Sequence, residues 1–288
     1  MGKIAVVTDS LANIPAELVE RYHIHVIPIL VMFGHETFRD GVDITPREFY
    51  RRLRESDELP TTAVPSMEEF VELYRRVGQE AEGIVSIHLS SKLSATVEVA
   101  GAAAKVLSEL PIHVIDTRTA AMAQGFIVLE AARAAARGAS LEEVVERARW
   151  MMPRVYIFAV LDTLEYLHRG GRIGRAAALM GSMLRIKPIL YVAEDGVVDV
   201  LEKPRTKARA VRRILEIAEE KVGSKPVHMA VVHADALEEA ERLRDEVASR
   251  FDCAELYVTD FTPVMGTHTG PGVLGLAFWT EEGGRKSS

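Results

Sequence analysis

The sequence predicts a two-domain α/β protein, in which a mainly parallel α/β sheet is followed by a smaller α+β domain. Short apolar runs alternate with longer stretches whose apolar residues recur every three or four positions, the pattern of buried strands between amphipathic helices. After about residue 160 an expected hairpin, turning at residues 194–196, interrupts this alternation. The length of 288 residues also suits two domains. We therefore expect an N-terminal domain over 1–160, a C-terminal domain over 161–282 and a loose tail over 283–288.

The N-terminal half alternates predicted strands and helices. The expected strands cover residues 4–7, 25–33, 83–89, 112–115 and 155–161. The expected helices cover residues 46–54, 67–79, 91–107 and 119–137. Thr45, Ser66 and Ser140 are each followed three residues later by Glu, so each is expected to begin a helix with a capping box. Strands and helices at this spacing predict a parallel sheet covered on both faces.

The second half begins with a Gly- and Arg-rich segment over 168–175, which leads into an expected apolar helix to about residue 186. The remaining elements are predicted in order as a hairpin (189–192 and 197–201), a helix (206–222), a strand (227–233), a helix (237–250) and two strands (254–259 and 273–279). A hairpin within strand–helix alternation is typical of an α+β domain.

Composition and charge exclude several classes of protein. Hydrophobic residues make up 48% of the chain, enough for a sizeable core, so the chain as a whole is not a disordered protein. The net charge of −7 argues against broad nucleic-acid binding, which needs a basic face. The longest apolar run, about 26–33, is too short to cross a membrane. Because Asp9 comes too early for a signal peptide, we expect a cytoplasmic protein.

The sequence gives little support to metal or cysteine chemistry. Cys253 is the one cysteine, so it cannot form an internal disulfide, and no residues have the spacing of zinc ligands. We interpret Cys253 as a small half-buried residue. Asp9 and Asp116 each end a predicted strand and are expected to hydrogen-bond neighbouring loops. A catalytic carboxylate pair is the alternative, which nothing else in the sequence supports.

The loops that follow the predicted strands are the expected place for a ligand, because ligands of open α/β sheets bind beyond the carboxyl ends of the strands. These loops, at residues 8–10, 60–66, 90–96 and 266–272, contain mainly hydroxyls, glycines and one histidine. Hydroxyls and backbone amides can hold an anion such as a carboxylate without burying a second full charge. The same hydroxyls are also common helix caps.

Thr62 and Ser94 are the hydroxyls that capping explains least well. Ser66 has its capping box, whereas Thr62 precedes the next helix by four residues and Ser94 is expected inside the first turn of its helix. We therefore favour Thr62 and Ser94 as binding residues. His268 is expected in a Gly-rich loop, where a functional and a structural role both stay open. The other histidines are interpreted as structural.

Residues 169–175 form the one dense cationic stretch of the sequence. A solvated loop, a phosphate clamp and a docking surface for an acidic partner are all compatible with it. Arg205 could extend that surface from the far end of the hairpin.

Taken together, these loops resemble those of the DegV family, the bacterial fatty-acid-binding proteins that serve as binding subunits of fatty acid kinase. The matching segments occur in the family's order and span nearly the whole chain. They are Thr8-Asp9-Ser10, residues 62–66, residues 90–96, Gly170-Gly171-Arg172-Ile173, Ile186-Lys187-Pro188-Ile189-Leu190 and residues 266–272.

The resemblance implies one long-chain fatty acid in a tunnel between the two domains, with no further cofactor and no metal. It implies that Thr62 and Ser94 hold the carboxylate and that His268 lies close to it. The residues that it places near the head group are Ser10, Ala95, Thr96 and Thr267.

The resemblance also implies a partner. A separate ATP-dependent kinase subunit would phosphorylate the presented carboxylate, giving an acyl-phosphate for phospholipid synthesis, while this chain performs no catalysis. Arg172 and Arg205 match the basic residues implicated in docking that subunit.

Two departures from the family pattern concern the acyl chain. Ala95 stands where the family usually has glycine, and Ala63-Val64 stand where polar residues are common. Neither removes a proposed ligand group, and both leave the chain-length preference open.

The sequence leaves two other functions as alternatives to a carrier. The first is a small-molecule phosphotransferase or hydrolase that uses Ser94 or His268, but the sequence has no P-loop and no Gly-x-Ser-x-Gly elbow. The second is a nucleic-acid-binding regulator, which the net charge disfavours.

Overall fold

The computed structural model describes residues 3–56, 58–182 and 185–281. In chain order the strands are β1 (Ile4–Asp9), β2 (His25–Ile27), β3 (Leu30–Phe33), β4 (Glu36–Arg39), β5 (Thr61–Ala63), β6 (Gly83–His88), β7 (Ile112–Asp116), β8 (Tyr156–Val160), β9 (Ile189–Val192), β10 (Val198–Glu202), β11 (Val227–His233), β12 (Cys253–Asp260) and β13 (Leu274–Trp279). The α-helices are α1 (Ala16–Arg21), α2 (Pro46–Glu55), α3 (Met67–Gly78), α4 (Thr96–Val106), α5 (Ala121–Ala136), α6 (Leu141–Met151), α7 (Glu165–Arg169), α8 (Lys207–Val222), α9 (Leu237–Arg250) and α10 (Pro263–Thr269). The tail expected over 283–288 lies outside the described residues.

The strands form three sheets. The first is parallel, with the order β2-β1-β6-β7. The second has the order β10-β9-β8-β13-β11-β12, and its pairs are antiparallel apart from β11 with β12. The third, β4-β3-β5, is antiparallel. The predicted α/β class with a parallel N-terminal sheet is confirmed. The chain passes from the first sheet to the second between α6 and β8, and a domain boundary near residue 160 remains our proposal.

Helix α5 lies between the first two sheets and forms the centre of the core. Thirteen of its sixteen residues are buried, as expected for a helix that is packed on all sides. It contacts β1 and β6 of the first sheet and β8, β11 and β13 of the second. A hydrogen bond from Asn13 Nδ2 to Asp260 O (2.7 Å) also joins the segments after β1 and at the end of β12. Strand ends from both sheets therefore meet beside this helix.

Two predicted strands are placed differently in the structure. The strand expected over 25–33 is divided at Pro28 into β2, which pairs in the first sheet, and β3, which pairs in the third. Proline cannot donate to a ladder of hydrogen bonds, and here it separates the two sheets. The strand expected over 155–161 belongs to the second sheet rather than to the N-terminal parallel sheet, because β8 pairs with β9 and β13.

The prediction of an apolar helix that reaches about residue 186 is wrong. Helix α7 ends at Arg169, and a 3-10 segment follows over Gly174–Ser182. Gly171 (φ +70°) and Gly174 (φ +54°) adopt left-handed backbone conformations that stop an α-helix.

The capping boxes at Ser66 and Ser140 are confirmed, because the side chain of each cap and the Glu three residues later both make their bonds. Thr45 caps α2 through the Glu48 N–H alone, since the Glu48 carboxylate pairs with Arg51 and Arg52. None of the helices described is both long and apolar enough to cross a membrane.

Candidate functional site

An apolar cavity lies next to the start of α5, between strand ends of the first sheet and the face of the second. The second sheet and the residues after it contribute Ile157, Ala159, Leu161, Leu190, Tyr191, Val192 and Val198. The other apolar lining residues are Leu11, Ile29, Ala63, Val64, Leu89, Leu93, Ala120, Ala121, Leu167, Phe261, Val264 and Met265. Ligand pockets of this kind are mostly apolar, with a few placed polar groups that orient the ligand.

Four polar side chains gather at one end of the cavity, namely those of Thr62, Ser94, Arg172 and His268, while a fifth polar lining residue, Thr269, donates its hydroxyl to Met265 O (2.9 Å) within α10. The four come from separate parts of the chain and are linked by the contacts described below. The two hydroxyls and the histidine predicted from the sequence therefore all line the cavity.

Thr62 lies in strand β5, whereas the sequence indicated a loop. Its register places it opposite Val31 of β3 in the small antiparallel sheet. The ladder fixes the backbone, so the hydroxyl is presented from a defined position rather than from a loose turn. Thr62 Oγ1 lies 2.9 Å from His268 Nε2.

His268 lies in the last turn of α10, so the prediction that it lies in a Gly-rich loop is wrong. Burial, together with the nearby Arg172 guanidinium, lowers the pKa of the imidazole to about 4, so His268 is neutral at pH 7. Its Nδ1 has no hydrogen-bond partner among the described residues. This nitrogen faces Gly170, where an added Cβ would come within 2.4 Å of it, so the glycine allows α7 to pack directly against the imidazole.

Ser94 precedes α4 rather than lying in its first turn, because the helix starts at Thr96 with Ala95 as its N-cap. Residues 90–94 form a separate turn in which the N–H groups of Leu93 and Ser94 both donate to Ser90 O. Ser94 Oγ hydrogen-bonds Thr96 Oγ1 (2.8 Å) and accepts from the Thr96 N–H (3.3 Å). The side chain thus supports the start of α4 while it lines the cavity.

Arg172 is half-buried at the same end of the cavity. Its Nε donates to Leu93 O (3.0 Å) and its Nη1 to Gly170 O (2.6 Å). These bonds hold the guanidinium between the segments that carry Ser94 and the residues packed on His268. A fixed positive charge therefore lies close to the three neutral polar groups.

The other residues expected near the head group lie outside the cavity lining. Ser10 Oγ accepts from the Ile29 N–H (3.2 Å) and faces a neighbouring polar cavity. Ala95 is exposed, while Thr96 is buried and bonded to Ser94. Thr267 Oγ1 donates to Pro263 O (3.0 Å) within α10. These four residues therefore lie close in the sequence to residues that line the cavity, but they do not line it themselves.

The cationic stretch over 169–175 divides into different roles. Arg172 lines the cavity, whereas Arg169 pairs with Glu165 (2.7 Å) and Arg175 with Asp195 and Asp199. Arg205 is exposed after β10 and lies outside the cavity lining.

The carboxylates of Asp9 and Asp116 make separate structural bonds. Asp9 is fully buried and accepts from the N–H groups of Leu11 (3.1 Å) and Leu89 (3.2 Å), both of which line the cavity. His88 Nδ1 lies 2.9 Å from the same carboxylate. Asp116 accepts from the N–H and the hydroxyl of Ser91 and from the Arg118 N–H. This matches the expectation that both carboxylates bond neighbouring loops.

Metal ligation finds no support in the described ranges, where no group of three or more His, Cys, Asp or Glu side chains could hold an ion. Cys253 begins β12 half-buried and is a free thiol. Burial raises its pKa, which makes it less reactive.

The residues that sequence reasoning missed are the apolar cavity walls. Leu11, Ile29, Leu190 and Phe261 are buried to the same degree as ordinary core residues. Periodicity cannot separate a cavity wall from a packed core, because both are apolar positions facing inward.

Sequence comparisons identify relatives along nearly the whole chain. Residues 3–281 match the family model described as an uncharacterised protein of the DegV family. Protein DegV of Bacillus subtilis is 38% identical over 277 residues, which cover 96% of this chain and 98% of that protein. A DegV domain-containing protein of Streptomyces coelicolor is 41% identical over 275 residues, covering 95% and 97%.

Solved structures of DegV family proteins are also similar to this chain over nearly its whole length. A fatty-acid-binding DegV family protein from Thermus thermophilus has a TM-score of 0.91 at 34% identity, covering 96% of this chain and 99% of that one. DegV of Bacillus subtilis, a fatty acid binding protein, has a TM-score of 0.91 at 37% identity, covering 98% and 100%. A stearic-acid-binding protein from Eubacterium ventriosum has a TM-score of 0.87 at 27% identity, covering 98% and 99%.

Proposed function

The chain belongs to the DegV family, and we propose that it binds one long-chain fatty acid in the apolar cavity, which serves as a tunnel between the domains. Thr62, Ser94 and His268 hold the carboxylate end. The observation that carries the proposal is the Thr62–His268 pair, a bonded neutral hydroxyl and imidazole at the polar end of an apolar cavity. Three solved relatives, from Thermus thermophilus, Bacillus subtilis and Eubacterium ventriosum, are described as fatty-acid-binding proteins.

The Thr62–His268 pair suits a carboxylate because of how its protons are shared. An ionised carboxylate only accepts hydrogen bonds, so the Thr62 hydroxyl must donate to it. Thr62 Oγ1 then accepts from His268, which requires the tautomer with the proton on Nε2. The low pKa of His268 keeps the ring neutral, so the ring orients Thr62 without adding a second buried charge.

Ser94 and Arg172 complete the head-group end. When the Ser94 hydroxyl donates to the carboxylate, Thr96 Oγ1 donates to Ser94 Oγ, so both hydroxyls keep a partner. Arg172 supplies the positive charge that balances the carboxylate from a position fixed by two backbone carbonyls.

Affinity in this arrangement comes mainly from the acyl chain. Burial contributes about 0.8 kcal/mol per methylene, so about twelve methylenes set an upper limit near 10 kcal/mol. Association and ordering offset much of that gain. The head-group residues therefore need only to satisfy and orient the carboxylate.

We further propose that the protein presents the carboxylate to a separate ATP-dependent fatty acid kinase subunit in the cytoplasm, without catalysis of its own. Arg172 beside the head group and the exposed Arg205 are the proposed docking residues, and the acyl-phosphate product would enter phospholipid synthesis. The hydrogen bond of Ser94 Oγ goes to Thr96 and that of His268 Nε2 to Thr62. This pairing gives no support to an enzyme in which His268 activates Ser94.

The first experiment is mass spectrometry of the organic extract of freshly purified protein, without added ligand. We expect a stoichiometric long-chain fatty acid, whose identity also reports the chain preference. Protein that is empty and also fails to take up added fatty acid would contradict the proposal. Adding a fatty acid kinase subunit and ATP then tests presentation, with acyl-phosphate as the expected product.

A substitution tests the head-group assignment. Thr62→Ala should weaken fatty-acid binding about tenfold or more, because a hydrogen bond to a charged group is lost. Thr61→Ala is the matched control, since Thr61 lies exposed on the same strand outside the cavity lining and should bind like wild type. Binding by titration with a fluorescent fatty acid measures both. Equal affinities of the two variants would remove Thr62 from the site.

A further inference from the structure

A second, polar cavity lies behind one wall of the apolar cavity, which is also called the acyl cavity below. At three places in the chain, two adjacent residues line different cavities. Leu11, Ile29 and Phe261 line the apolar cavity, whereas Ser10, Pro28 and Thr262 line the polar one. The wall between them therefore consists of three chain segments, which come from the ends of β1 and β12 and from the turn between β2 and β3.

Asp40, directly after β4, joins these three segments from the polar side. Its N–H donates to Ile29 O (2.9 Å) and its Oδ1 accepts from the Val264 N–H (3.2 Å). The hydroxyls of Ser10 and Thr262 face the same carboxyl and partly offset its raised pKa. Ser10 Oγ in turn accepts from the Ile29 N–H (3.2 Å). Asp40 is 2% exposed, so solvent does not compete for these contacts.

The bond to Val264 matters because of what α10 carries. This helix has Pro263 in its first turn, and its N-cap Thr262 makes no side-chain capping bond within the described chain. Asp40 supplies that bond from 224 residues away in the sequence. Val264 and His268 are four residues apart, so they lie one above the other on the same face of the helix. Movement of the first turn would therefore move the imidazole.

We propose that Asp40 is a positioning residue of the acyl cavity. Asp40 holds the start of α10 against the three-segment wall and thereby sets the position of His268 and Met265. The proposal rests on the proposed fatty-acid binding for its ligand, but its geometric part concerns α10 alone. Loss of the carboxylate should loosen α10 and speed the release of the fatty acid.

The charges around Asp40 make its role dependent on pH. Burial is the main cause that raises the pKa of Asp40 to about 6; the nearby Ser10 and Thr262 hydroxyls and the Val264 N–H partly offset it, and the Asp9 carboxylate adds to it. Other titratable groups on the packed elements include Asp260, which lines the same cavity, Tyr50 of α2, His268 of α10 and Asp43, which pairs with Arg39. A charged carboxylate accepts more strongly from Val264 than a neutral one does. We therefore expect α10 to be held more firmly above the pKa of Asp40 than below it.

The test compares wild type with Asp40→Ala and Asp40→Asn in two measurements. The first is hydrogen exchange of the α10 amides in the lipid-free protein, corrected for intrinsic rates, below and above the pKa of Asp40. Asp40→Ala should exchange at least about fivefold faster in the first turn of α10. Asp40→Asn keeps an acceptor oxygen but no charge, so it should match wild type at the lower pH and lose the pH dependence.

The second measurement is the rate at which bound fatty acid transfers to excess phosphatidylcholine vesicles. Release should be faster from Asp40→Ala than from wild type, with Asp40→Asn between them. Asp260→Asn is the matched control, because Asp260 has the same raised pKa and borders the same cavity but does not bond α10. It should keep the pH dependence of wild type.

The outcomes separate the two proposals. Unchanged exchange and release in both Asp40 variants would overturn the positioning role, as would a pH dependence that disappears in Asp260→Asn. Faster α10 exchange in a protein that binds no fatty acid would support the positioning role and contradict the proposed function.

Discussion

The two cavities on either side of the three-segment wall satisfy their polar groups differently. In the apolar cavity the side chains of Thr62, Ser94 and Arg172 have partners, and His268 Nδ1 is the one buried atom of these four side chains that lacks one within the described chain. Around the polar cavity, atoms of Asn13, Asp40, Thr259, Asp260 and Thr262 are buried with no hydrogen-bond partner in the described residues. Buried polar atoms without partners cost stability. The four polar side chains at one end of the apolar cavity therefore leave one such atom, whereas the wall behind them has several on its polar side and is stabilised by its apolar face.

The largest expected effect tests that apolar face. Phe261→Ala should lower the free energy of unfolding by about 3 kcal/mol, because a buried aromatic side chain is lost and a void is left. Thr259→Val, on the polar side, should stay within about 1 kcal/mol of wild type or exceed it, since it removes an unpartnered hydroxyl at constant volume. Urea unfolding of both variants provides the comparison. Similar losses in the two would show that both faces stabilise the wall equally.

A smaller effect is expected where α7 meets the head-group end. Gly170→Ala places a Cβ 2.4 Å from His268 Nδ1, and such overpacking costs about 2 kcal/mol. We also expect weaker fatty-acid binding, because the imidazole must move away from Thr62. Gly101→Ala is the control, since no atom lies within 4 Å of the added Cβ in α4 and alanine favours the helix. Unfolding midpoints and fatty-acid titration measure both variants, and normal binding by Gly170→Ala would show that the imidazole adapts.

The smallest effect concerns Asp260 and depends on pH. Burial raises its pKa to about 6 from an unfolded value near 3.8, so the stability it contributes is full below pH 4 and is lost as the pH rises through 6. Asp260→Asn should therefore gain stability over wild type between those values. Because the side chain is 38% exposed and solvent screens its charge, we expect a gain in the free energy of unfolding of about 1 kcal/mol. Urea midpoints at both ends of the range measure it, and a constant difference would show that Asp260 does not titrate there.

Much of the fold is predictable because its elements have strong local signals. The predicted bounds of β11 and α9 match the structure, and so do the capping boxes before α3 and α6. Thr62 and Ser94, favoured from the sequence, and His268, which the family resemblance adds, all line one cavity. Hydrophobic periodicity and capping chemistry are local properties, so they can be read without knowing the rest of the fold.

The parts that could not be predicted depend on distant partners. Strand β5 has three residues and exists because β3 lies beside it, so Thr62 looked like a loop residue. Helix α10 starts with a cap from Asp40 in place of a local one, so His268 also looked like a loop residue. Ser94 was placed in a helix because the turn over 90–94 continues the apolar pattern, although its amides bond to Ser90. Tertiary contacts determined the structure in all three cases.

The separation of Thr62 and His268 by 206 residues gives the site a place in the order of protein synthesis. A chain that has left the ribosome only as far as β12 holds Thr62, Ser94 and Arg172 but lacks the imidazole and the helix that carries it. Domains fold as units while the chain emerges, N-terminal part first. The helix that completes the head-group end thus emerges late, just before β13 joins β8 to β11 in the second sheet, and a fatty acid bound there would stabilise only the finished chain by mass action.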